Sequence, residues 1–252
     1  MSIAPLQADR TALKTVGVLG GMGPAAGIAF AQALLEETAR QTRVTCDQDQ
    51  VPFLLWSIPQ VPDRVGPIFD NSLPSPAPMM VHGAKTLAHA GADVIAIACN
   101  TAHHWHGEIA RAVDVPVLDI AAIVAGALGP VPRGPNRVGI LATRATQAAG
   151  LFDRPLVAQG WEPVYLSETD RGRVLEPAIH TVKTGRPRDA AAVVVDAIDQ
   201  LRARAGFTLP IVLACTELPL ALAHVPEQNQ PPHLIDAGAL LARAAVAHAL
   251  GR

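Results

Sequence analysis

Apolar residues in this chain fall into two kinds of run. Short unbroken runs occupy residues 15–20 (TVGVLG), 50–58 (QVPFLLWSI), 93–98 (DVIAIA), 137–143 (RVGILAT), 162–167 and 209–214 (LPIVLA). Their length and β-branched content predict strands. Because these runs do not alternate with polar residues, both faces of each strand are expected to be covered, as in a parallel sheet. Between them lie alanine-rich segments with helical spacing: from the Met22-Gly23-Pro24 turn to about residue 39, then 79–90, 102–112, 119–128, 169–183, 189–205 and 236–250. A further short strand is predicted over 116–118. Strands alternating with helices in this way indicate an α/β protein built on mainly parallel sheets.

The pattern occurs twice. Val16-Gly17-Val18-Leu19 matches Val138-Gly139-Ile140-Leu141 at a spacing of 122 (138 − 16), and two strand-end cysteines, Cys99 and Cys215, lie 116 apart (215 − 99). Two independent landmarks at similar spacing suggest a duplicated βα unit. The breaker-rich stretch 130–135 (PVPRGP) marks a plausible change of domain. We therefore expect two pseudo-symmetric half-domains, each a mainly parallel sheet flanked by helices, with an active site in the cleft between them. One comprises residues 1–117 closed by 226–252, and the other residues 118–225. A proline-rich connection over 59–78 is long enough to suggest a functional loop.

Composition narrows the class. With 252 residues, half of them apolar, the chain can bury a substantial core. A formal charge of −2 offers no general attraction for nucleic acid or an anionic membrane, so a small molecule is the expected partner. Three cysteines without a closely spaced framework point to reduced thiols in a cytoplasm. Residues 1–14 lack the apolar core of a secretory signal and read as a short flexible tail, and no apolar run reaches the roughly 18 residues of a membrane span.

The two strand-end cysteines carry the most specific chemistry. In open α/β sheets, ligands bind beyond the carboxyl ends of the strands, where Cys99 and Cys215 stand. A thiolate on one side of a carbon centre can remove a proton while a thiol on the other side delivers one, inverting the centre. A free thiol of pKa about 8.5 is only slightly ionised at neutral pH, a penalty of roughly 2 kcal/mol. Each cysteine precedes a predicted helix, whose N-terminal N–H groups are expected to favour the thiolate. Cys46 has no comparable context.

Gly20-Gly21-Met22-Gly23-Pro24, Cys99-Asn100-Thr101-Ala102-His103 and Cys215-Thr216-Glu217 resemble the three signature segments of the cofactor-independent aspartate/glutamate racemase superfamily, closest to its aspartate racemase branch. The resemblance implies PLP-independent racemisation of an acidic amino acid, most simply aspartate. It implies an interdomain site, no PLP or other cofactor and commonly a homodimer, with Cys99 and Cys215 as paired acid and base. Asn100, Thr101 and Thr216, with N–H groups near Met22 and Gly23, would hold the α-carboxylate. The segment Ile58-Pro59-Gln60-Val61-Pro62-Asp63-Arg64 is similar to the one that supplies an arginine, and Val182-Lys183-Thr184-Gly185 to one that supplies a lysine. Arg64 and Lys183 would then take the side-chain carboxylate, with His103 and Glu217 in support. Ala214 replaces the glycine usual before the second cysteine, and Val65 a common threonine, which bears on pocket shape.

Other readings compete. Gly21-Met22-Gly23-Pro24-Ala25-Ala26 has the form of a dinucleotide fingerprint, but the acidic ribose partner is misplaced, since Asp47 and Asp49 precede the second strand. Cys99, His103, His104 and His106 are dense enough to suggest zinc, yet His104 would point about 100° away from His103 on a helix. Decarboxylation or cis-trans isomerisation of small dicarboxylates on the same scaffold, and non-catalytic binding of an acidic metabolite, are the remaining alternatives.

Overall fold

A computed structural model describes residues 13–131, 136–206 and 209–252. Most of the proposed N-terminal tail and most of the 130–135 breaker stretch lie outside the described residues. The elements are β1 (Val16–Gly20), α1 (Pro24–Gln41), β2 (Phe53–Ser57), α2 (Gly66–Phe69), α3 (Ala77–His89), β3 (Val94–Ile97), α4 (His106–Arg111) and α5 (Ile120–Leu128). The second half follows with β4 (Arg137–Ala142), α6 (Arg144–Ala148), α7 (Asp153–Ala158), β5 (Glu162–Tyr165), α8 (Glu168–Asp170), α9 (Glu176–Lys183) and α10 (Pro187–Ala205). It ends with β6 (Ile211–Ala214), α11 (Glu217–Leu222), β7 (Leu234–Asp236) and α12 (Ala237–Ala249).

Two parallel sheets result, ordered β2-β1-β3 and β5-β4-β6-β7. The repeat visible in the sequence becomes a topological one: β1 and β4 are the matching strands of the two sheets, each flanked by the next two strands of its own half. Strand residues divide by the pleat. Val16, Val18, Val94, Ala96, Val138, Ile140, Val212 and Ala214 enter one central core with α1, α5 and α12. Leu19, Ile95 and Ile97 face a second core built with α3, and Leu141, Ile211 and Leu213 a third with α9, α10 and α11. Burying each such valine, isoleucine or leucine contributes about 1.5–3 kcal/mol, so the central core ties both sheets into one body.

The duplication extends to helix caps. Asp119 accepts from the N–H groups of Ala121 and Ala122 at the start of α5 (2.9 and 3.3 Å), and Asp236 accepts from those of Gly238 and Ala239 at the start of α12 (2.7 and 3.1 Å). Their spacing of 117 (236 − 119) tracks that of the cysteines. The two helices pack against each other; α12 also packs on α1 and the first sheet, and α5 on α7.

Three local expectations are corrected. Residues 116–118 form only a single bridge, in which Ile95 N–H donates to Pro116 and Leu118 N–H donates back to Ile95 (2.8 and 2.9 Å). Pro116 has no N–H with which to lengthen that ladder. The corresponding strand of the second half, β7, is complete and was not anticipated. The helix expected over 102–112 starts as a 3-10 segment, Thr101–Trp105. An α-helix would need His103 N–H to reach the Cys99 carbonyl; instead the His103 imidazole Nδ1 bonds that carbonyl (2.9 Å), and His103 N–H donates to Asn100 (3.0 Å). The helix expected over 169–183 is interrupted by a π-helical turn, Arg171–Leu175, just before Pro177, whose missing N–H breaks the regular ladder.

Candidate active site

The ends of β1, β3, β4 and β6 converge on one cavity. Met22, Asp63, Arg64, Val65, Cys99, Asn100, Thr101, Thr143, Lys183, Cys215, Thr216 and Glu217 line it. The structure thus brings together both strand-end cysteines and seven further residues singled out from sequence as site residues. Gly23 adjoins the site: a Cβ added there would lie 3.3 Å from Glu217 Oε1.

The turn between β1 and α1 depends on Gly21, which adopts φ +94° and lies so close to β2 that an added Cβ would sit 2.3 Å from Ile58 N. Pro24 then occupies the first turn of α1, where its missing N–H costs nothing. On the first wall, the chain leaves β3 through a tight turn in which Cys99 N–H donates to Ile97 (2.8 Å), leaving Cys99 7% exposed. Beside it, Asn100 is buried with neither its amide oxygen nor its amide nitrogen paired. Such atoms are costly to leave unbonded and mark a place for a polar ligand.

Arg64 reaches in from the proline-rich loop. Its guanidinium donates to the carbonyls of Val61, Pro62 and Met22 (3.2, 3.0 and 3.3 Å), while Nε is buried without a partner. Carbonyls orient the cation without neutralising it, which preserves its attraction for an anion. Burial acts against ionisation of neighbouring Asp63, but N–H donors from Gly66 and Val65, together with Arg64, outweigh it and hold that carboxyl below its usual range. Asp63 accepts from Gly66 N–H at 2.6 Å and so anchors the loop.

On the opposite wall, Cys215 follows β6 and is 6% exposed. Its thiol donates to Glu217 Oε2 (3.1 Å), which also accepts from Thr216 Oγ1 (3.1 Å). Lys183, at the end of α9, places Nζ 3.9 Å from Glu217 Oε1. The helix stabilisation expected to favour a thiolate at Cys215 is outweighed. Burial first, and the adjacent Glu217 charge second, push its ionisation well above the ordinary thiol range, outweighing Lys183 and the first turn of α11.

Two groups depart from the sequence expectation. His103 does not face the cavity; it lines a separate hollow of about 630 Å³ with His104, Asp119 and Arg154. Its contact with the site is the bond to the Cys99 carbonyl, and burial lowers its pKa to about 4. Thr143, which was not singled out, does line the cavity. Its hydroxyl, that of Thr101 and that of Thr146 form a buried triangle across the two halves, with separations of 3.2, 2.9 and 3.1 Å. Thr143 directly follows β4 as Cys215 follows β6, so the strand-end rule applied to every strand would have found it.

The cavity measures about 20 Å³, room for about one water molecule. Its cover is the loop after β2, whose helix α2 crosses to α6 on the other half, with Phe69 beneath the Arg144 guanidinium at 4.9 Å.

Residues 19–245 match the Asp/Glu/Hydantoin racemase family. The chain is 25% identical to the broad specificity amino-acid racemase RacX of Bacillus subtilis over 92% of its own length and 96% of that protein's. The aspartate racemase of Picrophilus torridus superposes with a TM-score of 0.78 at 30% identity, covering 94% of each chain. The glutamate racemase of Thermus thermophilus shares the fold, with a TM-score of 0.63 at 22% identity over 95% of this chain and 81% of that one. With a family match over nearly its whole length, two half-domains of matching topology and a shared cavity at their strand ends, this chain belongs to the Asp/Glu/Hydantoin racemase family.

Proposed function

We propose that this protein racemises an acidic amino acid, aspartate in the first instance, by PLP-independent two-base proton exchange between Cys99 and Cys215. The observation that carries this reading is the presence of both thiols in one small cavity, on walls supplied by different sheets, together with Arg64 and Lys183. One cysteine, as thiolate, takes the α-proton. The other, as thiol, protonates the opposite face of the same carbon. Asn100, Thr101 and Thr216, with N–H groups near Met22 and Gly23, hold the α-carboxylate and stabilise the charge that develops on it. Arg64, whose hydrogen bonds run to carbonyls, receives the side-chain carboxylate, with Lys183 on the wall of the second half.

A cavity of about 20 Å³ does not admit aspartate, so the loop carrying Arg64 acts as a lid that leaves α6 before substrate enters and settles on it afterwards. The unpaired thiols of Cys99 and Cys215 support a reducing cytoplasm, and the family resemblance supports a homodimer.

The test is incubation of each enantiomer of aspartate and glutamate in heavy water. Deuterium at the α-position together with inversion supports the proposal. Binding without exchange would point to a non-catalytic acidic-metabolite protein, and release of carbon dioxide or an alkene to decarboxylase or isomerase chemistry. Because RacX is named a broad specificity racemase, neutral and basic amino acids belong in the panel.

A further inference from the structure

The two cysteine walls are not equivalent. Among the described residues, the hydrogen bonds of Cys99 run through its backbone, to Ile97 and from His103. Cys215 instead points its thiol at the carboxylate of Glu217, which is itself only 4% exposed. A buried carboxylate this close to a thiol has a consequence for turnover. When Cys215 gives up its proton, a thiolate is left about 3 Å from Oε2, and like charges at that range, shielded from water, repel each other.

Resting on the two-cysteine reading above, we propose that Glu217 is a third member of the proton-exchange machinery: Cys99, Cys215 and Glu217 together hold two protons and one negative charge, which Lys183 balances. For one enantiomer the starting state has both thiols protonated and Glu217 ionised. Cys215 S–H breaks, its proton forms O–H on Glu217 Oε2, and the electron pair stays on Sγ. That thiolate takes the substrate α-proton, and the pair left on the α-carbon takes the proton of Cys99. The product state, with Cys99 as thiolate, Cys215 as thiol and Glu217 protonated, is the starting state for the other enantiomer. Run backwards, the same steps return every proton to its origin. Two adjacent anions never form. The remaining charged groups at the cavity, Arg64 and Asp63, lie in the loop from the first half.

The pair is read without turnover in a Cys46→Ser/Cys99→Ser background, where ultraviolet thiolate absorbance reports Cys215 alone. Glu217→Gln is expected to lower the Cys215 titration midpoint by about one pH unit or more, at least a tenfold change in its ionisation constant, with Glu217→Asp in between. A midpoint that stays put or rises on replacement by Gln overturns the proposal. In the chain with all three cysteines, alkylation followed by mass spectrometry should show Glu217→Gln accelerating Cys215 and leaving Cys99 unchanged; equal effects on both would count against it. In the otherwise native enzyme, Glu217→Gln should raise the acid limb of the kcat/KM profile from a carboxylate to a thiol range. A merely structural role would lower the profile without moving its limbs. Loss of racemase activity as such leaves the titration result intact, so failure of the pair and failure of the racemase reading are distinguishable.

Discussion

His103 offers a sharp thermodynamic test of the site's architecture. The imidazole is 3% exposed, its Nδ1 bonds the Cys99 carbonyl, and its Nε2 is buried without a partner. Burial is the main reason its pKa falls from 6.5 to about 4, against the smaller opposing effects of the bond to the Cys99 carbonyl and then of the Asp119 charge. The native state therefore keeps His103 neutral, whereas the unfolded chain takes up a proton near pH 6.5. A depressed native pKa contributes stability above the unfolded value, and that contribution is lost as pH falls towards the native value. Integrating between about pH 7.5 and about pH 5 gives a loss of about 2 kcal/mol attributable to this group.

The perturbation is His103→Gln, whose amide can still donate to the Cys99 carbonyl but does not titrate. Urea unfolding at both pH values supplies the assay. At about pH 7.5 the variant should be less stable by about 1 kcal/mol, reflecting imperfect replacement of a buried hydrogen bond. Between the two pH values wild type should lose about 2 kcal/mol more than the variant, a difference in midpoint on the order of 1 M urea. Parallel losses in the two proteins would refute the account, because they would mean that the imidazole is solvated or already charged in the native state.

Gly21→Ala should destabilise by at least about 2 kcal/mol in thermal or urea unfolding, since it adds a side chain at φ +94° and at 2.3 Å from Ile58 N. Thr146→Val should cost about 1–3 kcal/mol by leaving the Thr101 and Thr143 hydroxyls short of a partner in the buried triangle. Phe69→Ala removes the ring beneath Arg144, worth about 0.5–1 kcal/mol, and should speed hydrogen exchange across the loop carrying Arg64 with little effect on global stability. If aspartate is the substrate, Arg64→Leu should lower kcat/KM by about a hundredfold or more while leaving the unfolding midpoint nearly unchanged.

Much of the fold was legible because its determinants are local. Unbroken β-branched runs such as Val94 to Ile97 are too short for helices and too apolar for loops, and the Val16 and Val138 segments repeat at a spacing close to that of the two cysteines, 122 against 116. Asp119 and Asp236 announce their helices by capping groups two and three residues away. The irregular stretches were less legible. Whether residues 102–105 coil as α or 3-10 turned on whether the Cys99 carbonyl bonded a backbone N–H or the His103 ring.

The sequence by itself determined the alternation of strands and helices, their duplication, and the placement of Cys99 and Cys215 at strand ends, since these depend on neighbours a few residues apart and on a repeat readable along the chain. Tertiary structure alone decided what surrounds those cysteines. Lys183 meets Glu217 across 34 positions (217 − 183), and Thr101 meets Thr146 across 45. His103, next to the signature cysteine in sequence, turns to another hollow. The ionisation of a buried thiol follows from the charges within a few ångströms of it and the water excluded around it. Only the folded chain sets those distances: it seats Cys215 in a buried position beside Glu217, where burial and that charge raise its ionisation against the lowering expected from a helix N-terminus.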